Sequence, residues 1–252
     1  MFILYNLHDK EAISERCTKN VRNFMQNIQR RVDEMDANIA SKSAENKGKT
    51  IYVSLVKRLL DIFLSAIGIV VFAVPMIVIA VVIRVSSRGP VLLRQRRFGQ
   101  NGTFFYLFKF RSLKCEAPAD VPTHQLKNPE QYYFRGSRLL REFSLDELPQ
   151  LFNIFLGHMS VVGPRPALWN QEDLIAEREK HGANGVKPGL TGWAQINGRD
   201  ELAIPEKARL DGEYAAKASF LFDCKCVFLT VGKVLKREGV VDGEQKETKE
   251  QV

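Results

Sequence analysis

The sequence predicts a mostly α-helical α+β protein with one small β-hairpin, held at a membrane by a single apolar segment. Three observations carry this fold class. Ile62 to Ile83 is an uncharged apolar run. Most of the remaining chain places apolar side chains at helical spacing. One stretch after Gly89-Pro90 is instead rich in β-branched and aromatic residues around a Gln100-Asn101-Gly102 turn. A chain of 252 residues can bury one sizeable core, and its 45% hydrophobic content is ordinary, so the position of the apolar residues matters more than their number.

Residues 1–50 read as a polar, helical extension and linker. Apolar side chains recur at Ile13, Cys17, Val21, Phe24, Ile28, Val32, Met35 and Ile39 in steps of three and four, a narrow helical stripe. Two readings stay open for it: an amphipathic helix lying on the protein or the membrane, or a short coiled-coil contact making a homodimer. Ala40 to Lys49 reads as a polar linker. The apolar patch Met1 to Leu7 is too short for a cleavable signal and is followed by charges.

Residues 51–90 form the membrane unit. As a straight helix, Ile62 to Ile83 rises about 33 Å, enough to cross the hydrocarbon core. Pro75 sits just past its middle and removes a backbone hydrogen bond, which favours a kink or break. Lys57 and Arg58 precede the run, and Arg84, Arg88, Arg94, Arg96 and Arg97 follow it. Positive charge prefers the cytoplasmic side, so both ends are drawn there. A re-entrant helical hairpin satisfies that preference and a simple span does not; on these residues alone the two readings stand level.

Residues 91–241 read as the globular domain. Val91 to Leu93 and Thr103 to Arg111 flank the hairpin turn, residues 115–135 with three prolines read as a mobile loop, and helical spacing returns at Ser137 to Phe143, Leu145 to Leu156, Trp169 to His181, Pro205 to Ala218 and Cys224 to Arg237. Residues 242–252 are polar and read as a disordered tail.

The net charge of +8 points to an anionic partner: lipid, nucleotide, polyphosphate or nucleic acid. Four cysteines and four histidines have no metal-ligand spacing, since Cys224-x-Cys226 is too short and lacks a second pair. Neither a G-x-x-x-x-G-K-[ST] loop nor an Asp-x-Asp triplet occurs, which excludes an ordinary P-loop and counts against a metal-dependent glycosyltransferase using direct displacement.

The most informative segment is Ser144-Leu145-Asp146-Glu147-Leu148-Pro149-Gln150-Leu151. Ser144 and Glu147 have capping-box spacing, which would put both carboxylates in the first turn of a helix, where the dipole favours their ionised form. An ionised aspartate suits nucleophilic catalysis on a phosphoryl group. Lys109 and Arg111 alternate on a predicted strand and so share a face. Arg141 precedes Asp146, and Arg165 is held between two prolines in Gly163-Pro164-Arg165-Pro166. Each is suited to phosphate oxygens. In Lys187 to Arg199, Gly189, Gly192 and Gly198 permit close backbone approach, and Trp193 either stacks on a ligand or packs in the core.

Taken in order, Lys57 to Asp61, Phe108 to Arg111, Ser144 to Leu151, Gly163 to Pro166 and Lys187 to Arg199 resemble the bacterial sugar transferase family, in its small single-domain form. These are monotopic membrane enzymes acting on polyprenol phosphate. The resemblance implies transfer of a phosphosugar from a UDP-sugar to undecaprenyl phosphate with release of UMP, as the first step of glycan assembly on a lipid carrier. It implies Asp146 as nucleophile, Glu147 as ligand of a Mg²⁺ cofactor, and Lys109, Arg111, Arg141, Arg165, Arg199 and Asp211 as substrate-binding groups. It further implies a Pro-broken re-entrant helix, interfacial amphipathic helices, the bacterial inner membrane with a catalytic domain in the cytoplasm, and no nucleic-acid partner. Family members mark the helix break with serine-proline, whereas Val74 precedes Pro75 here. The stretch Ser219 to Gly239 resembles small relatives that handle N-acetylated sugars. A non-catalytic basic membrane adaptor is the remaining alternative, and it leaves the ordered carboxylate and arginine motifs unexplained.

Overall fold

The computed structural model describes residues 52–118, 126, 128–198 and 202–236, with side chains to residue 233. The amino-terminal stripe and linker, the dimer contact, Arg199 and the tail lie outside those residues.

A π-helical turn, Tyr52–Val56, leads into α1, Lys57–Ser86. Among the described residues α1 is the one helix long and apolar enough to cross a membrane. Helical structure continues through Pro75, because the loss of one backbone bond is local and the turns on both sides stay helical. The buried positions Lys57, Asp61, Ser65, Met76, Ile79 and Ile83 recur at helical spacing along one stripe, while most of the other faces are exposed.

That stripe lies on a small α+β body. Strands β1, Leu92–Phe98, and β2, Phe104–Phe110, pair antiparallel through a turn in which Asn101 adopts φ 52°, a left-handed conformation that asparagine tolerates. Helices α2, Ser137–Glu142, and α3, Gln150–Leu156, follow. The edge of β2 is closed by α3, because Asn153 Nδ2 donates to the Tyr106 carbonyl at 2.8 Å and its Oδ1 accepts from Phe108 N at 2.8 Å. Strand β3, Ser160–Val162, pairs parallel with β4, Gly189–Thr191, and between them lies α4, Glu172–Lys180. Helices α5, Trp193–Ile196, α6, Ile204–Lys217, and α7, Phe220–Lys236, complete the body.

Three apolar clusters hold these elements together. Met76, Ile79 and Ile83 of α1 pack on Phe110, Phe134 and Leu140. Phe105 and Leu107 of β2 meet Ile154 and Met159. Val162, Ile196, Tyr214 and Cys226 form the third cluster. Full burial of such side chains is worth about 1.5–3 kcal/mol each, so docking of the α1 stripe makes a large share of the stability of this body. Exposed apolar side chains continue beyond α1: Phe152, Phe155 and Leu156 on α3, and Phe220, Leu221, Phe228 and Leu229 on α7.

The predicted hairpin and helices are present, with shifted ends. The loop over 115–135 contains a 3₁₀ turn, Pro129–Tyr132, within its described part. The parallel β3–β4 pair was not foreseen: three-residue strands separated by a helix leave no alternating pattern long enough to read.

Candidate active site

The segment from Ser144 to Leu151 does not form the expected capping box. Ser144 takes the left-handed conformation at φ 53°, its side chain caps nothing, and Leu145–Glu147 is a 3₁₀ turn. The α-helix starts only at Gln150, after Pro149. Pro149 lacks the N–H that an earlier α-helical start would use, so the carboxylates end up on a tight turn ahead of the helix.

Asp146 is buried at 7% exposure and Ser112 Oγ donates to its Oδ2 at 3.3 Å. The same Ser112 oxygen accepts from Arg141 Nη1 at 3.3 Å, so one hydroxyl links the carboxylate to a guanidinium. Next to it, Arg165 Nη2 donates to Glu147 Oε1 at 2.8 Å. Burial first, and the adjacent Glu147 second, push the Asp146 carboxyl above its ordinary range, while Lys109, Arg141 and Arg165 pull it back. The expected helix dipole is not what favours its ionised form; the surrounding cations do, against the larger effect of burial. Loss of solvent contact pushes Lys109 down to about 8, opposed by Asp146 and Glu147 and reinforced by Arg97 and Arg141.

Lys109, Arg141 and Arg165 act on Asp146, Arg165 pairs with Glu147, and Arg97 acts on Lys109, so four cations gather around two carboxylates. That leaves a surplus of positive charge suited to a diphosphate. Arg97 was missed by the sequence reading. On β1, Leu93, Gln95 and Arg97 face the same way as Phe105, Leu107 and Lys109 on β2, a relation set by the cross-strand register. Arg97 also donates to the Pro166 carbonyl at 2.7 Å, and Phe98 N donates to Ala167 O at 3.0 Å, tying the Arg165 loop to the hairpin.

The other side of that loop is held by the glycine-rich stretch. Gly163 N donates to Thr191 O at 2.8 Å, and Gly189 N to Pro164 O at 2.9 Å. A Cβ on Gly189 would come within 2.1 Å of Gly163 N, and one on Gly192 within 2.1 Å of Gly163 O, so only glycine fits at either place. Trp193 packs on Phe222 and donates to Glu213 at 3.2 Å, the core role rather than the stacking one. The motif therefore fixes Arg165 from behind.

Two predicted site residues are placed elsewhere. Arg111 lies just past the end of β2 and is 4% exposed. Its guanidinium binds the Arg88 carbonyl, donates to Ser87 O at 2.9 Å and covers the Phe134 ring, so it anchors the end of α1. Strand alternation does not govern a residue after the last ladder pair. Asp211 is 1% exposed and takes both Nε and Nη2 of Arg178 at 2.8 and 2.6 Å, an interior ion pair between α6 and α4. Lys109, Arg141, Arg165, Asp146 and Glu147 are brought together as expected.

Among the described residues no group of three histidine, cysteine or acidic side chains is arranged to hold a metal alone. Adjacent carboxylates do fit a hard divalent cation that takes its remaining ligands from substrate phosphates and water, the habit of Mg²⁺.

Comparison with known proteins supports the same area of chemistry. The sequence profile described as bacterial sugar transferase matches residues 52–237. The sugar transferase EpsL of Bacillus subtilis is 38% identical over 186 residues, covering 74% of this chain and 90% of EpsL. The UDP-glucose:undecaprenyl-phosphate glucose-1-phosphate transferase of Escherichia coli is 41% identical over 186 residues, covering 71% of this chain and 40% of that protein. The exopolysaccharide production protein PSS of Rhizobium leguminosarum is 35% identical over 195 residues, covering 73% of this chain and 96% of PSS. The chain therefore spans well under half of the Escherichia coli glucose transferase and nearly all of PSS.

Proposed function

The chain belongs to the bacterial sugar transferase family, and on that footing we propose that it transfers a sugar 1-phosphate from a UDP-sugar to undecaprenyl phosphate. The donor sugar best supported is glucose, because the relatives from Escherichia coli and Xanthomonas campestris are named for UDP-glucose and undecaprenyl phosphate. An N-acetylated sugar has no such support.

The single observation that carries the reaction is the buried Asp146, joined through Ser112 to Arg141 and flanked by Lys109 and the Arg165–Glu147 pair. In the first step an Asp146 oxygen attacks the phosphorus that bears the sugar. The bond from that phosphorus to the bridging oxygen breaks, UMP leaves with the electron pair, and a phosphosugar-aspartyl ester remains. In the second step a phosphate oxygen of the lipid attacks the same phosphorus and returns Asp146 as a carboxylate. Lys109, Arg141 and Arg165 orient the phosphoryl oxygens and counter the charge that builds on them. Glu147, with Asp146 beside it, would hold Mg²⁺, which when bound offsets charge on the diphosphate and on the departing UMP.

The reading places this site on the cytoplasmic face of the bacterial inner membrane, with α1 entering and leaving the same leaflet. The support is the docking of both ends of α1 on one body. Lys57 pairs with Asp223 of α7, and the carbonyls of Ser87 and Arg88 bind Arg111. Contacts at both ends with one body favour a helix whose two ends lie on the same side of the bilayer. The exposed apolar side chains of α3 and α7 suit the interfacial zone beside it.

The test is UMP release by purified protein across a panel of UDP-sugars with undecaprenyl phosphate. Release from UDP-glucose, abolished by Asp146→Asn, is the expected result. Undiminished release by that variant would sink the covalent scheme.

A further inference from the structure

A cavity lies at the amino-terminal end of α1, and none of the Asp146 cluster lines it. Its volume is about 290 Å³, and its charged lining is Lys57, Arg58, Asp61 and Lys187, with Ser160 among the neutral polar groups. Val53, Val186 and Ala218 line it as well, so it is amphipathic. None of the groups assigned to phosphoryl transfer lines it.

The charges in this cavity do not balance internally. Lys57 is neutralised by Asp223, which also accepts from Tyr52 at 2.5 Å and from Tyr214 at 2.7 Å. Asp61 Oδ1 accepts from Val161 N at 2.9 Å and from Ser160 Oγ at 3.0 Å, so this carboxylate oxygen is committed to holding β3. Arg58 donates to the carbonyls of Ile154 and Phe155 at 2.7 and 2.8 Å, neutral partners that leave its charge in place. Lys187 lines the cavity and makes no hydrogen bond or ion pair with the other described residues. Its ordinary proton affinity is lowered by burial first and by Arg58 second, and Asp61 offsets part of that fall. Arg58 and Lys187 against Asp61 leave one positive charge uncompensated.

We infer that this cavity is a binding site for a phosphate group, held by Lys187 and Arg58 beneath a small apolar wall. A phosphodiester carries the single negative charge that the cavity lacks. The location favours a lipid source, because the cavity opens where the apolar run of α1 begins, at the depth of lipid head groups. The role that follows is anchoring: a bound head group would fix the start of α1 to β3 and to the loop that precedes β4. Free phosphate shares the chemistry and is the other source.

Isothermal titration of the purified full-length chain in detergent tests this, with short-chain dihexanoyl phosphatidylglycerol and inorganic phosphate as separate probes. Lys187→Glu and Lys187→Arg are compared with the unaltered chain. Loss of one charge-assisted contact predicts at least about tenfold weaker lipid binding in Lys187→Glu, with Lys187→Arg near the starting affinity. The same pattern with inorganic phosphate alone keeps the site and assigns it to free phosphate. Phosphate bound by the Asp146 cations is insensitive to residue 187 and forms a constant background. Equal binding by all three proteins, or saturable binding of neither probe, overturns the inference. UMP release measured on the same samples keeps this outcome separate from that of the transfer reaction.

Discussion

Arg165 and Glu147 form a 2.8 Å ion pair across the candidate site, Glu147 largely enclosed and Arg165 about one third exposed. The pair places a guanidinium beside the proposed metal ligand before any substrate arrives. On the proposed function, binding of a diphosphate and Mg²⁺ would exchange one partner set for another rather than fill bare charges.

Removing the Glu147 charge should weaken metal binding without rebuilding the site. Glu147→Gln is expected to raise the Mg²⁺ concentration for half-maximal UMP release by at least about tenfold, since even groups behind a metal ligand cost that much. An unchanged Mg²⁺ titration would count against the metal role.

Lys109 gives the reaction an alkaline limit. Its folded value near 8 lies below the ordinary lysine value, so it holds its proton below about pH 8 and loses it above. Turnover that relies on the charged form should fall above that pH. Lys109→Arg keeps its charge throughout. It should therefore move the alkaline limb of kcat/KM to higher pH, and a limb that stays where it was excludes Lys109 as its source.

The Arg178–Asp211 pair is expected to act on stability. Removing either partner leaves a buried charge uncompensated, a loss of about 3–5 kcal/mol, whereas removing both costs less. Thermal melts of Arg178→Met, Asp211→Leu and the double variant check this. A double variant no more stable than the worse single one would refute it. Normal melting of Asp211→Asn together with abolished UMP release would return Asp211 to the catalytic site.

The course of α1 through the bilayer can be read by labelling. Ser54 and Arg84 flank the apolar run and are exposed. Cysteines placed at both, followed peptide by peptide in sealed vesicles, should react from the same side. Opposite-side reaction would establish a simple span.

Much of this molecule was legible in the sequence because its signals are local. An uncharged run is visible at once, and so are an Asn-Gly turn and carboxylates next to a proline. The grouping of Asp146, Glu147, Lys109, Arg141 and Arg165 was legible through residue types and their order along the chain. What stayed hidden depends on partners distant in sequence. Arg97 joins the site through strand register and through a loop about seventy residues away. Arg111 and Asp211 look like ligand groups until the carbonyls of Ser87 and Arg88, and the guanidinium of Arg178, are found against them.

The sequence by itself determined the element types, the apolar helix and the group of charges that make up the candidate site. The tertiary structure decided which charges meet. It turned the expected helix cap into a 3₁₀ turn, brought both ends of α1 onto one body and opened a cationic cavity beside Lys187. The physical reason is the same in each case: periodicity and turn chemistry act over a few residues, whereas burial of a charge depends on what lies opposite it in space.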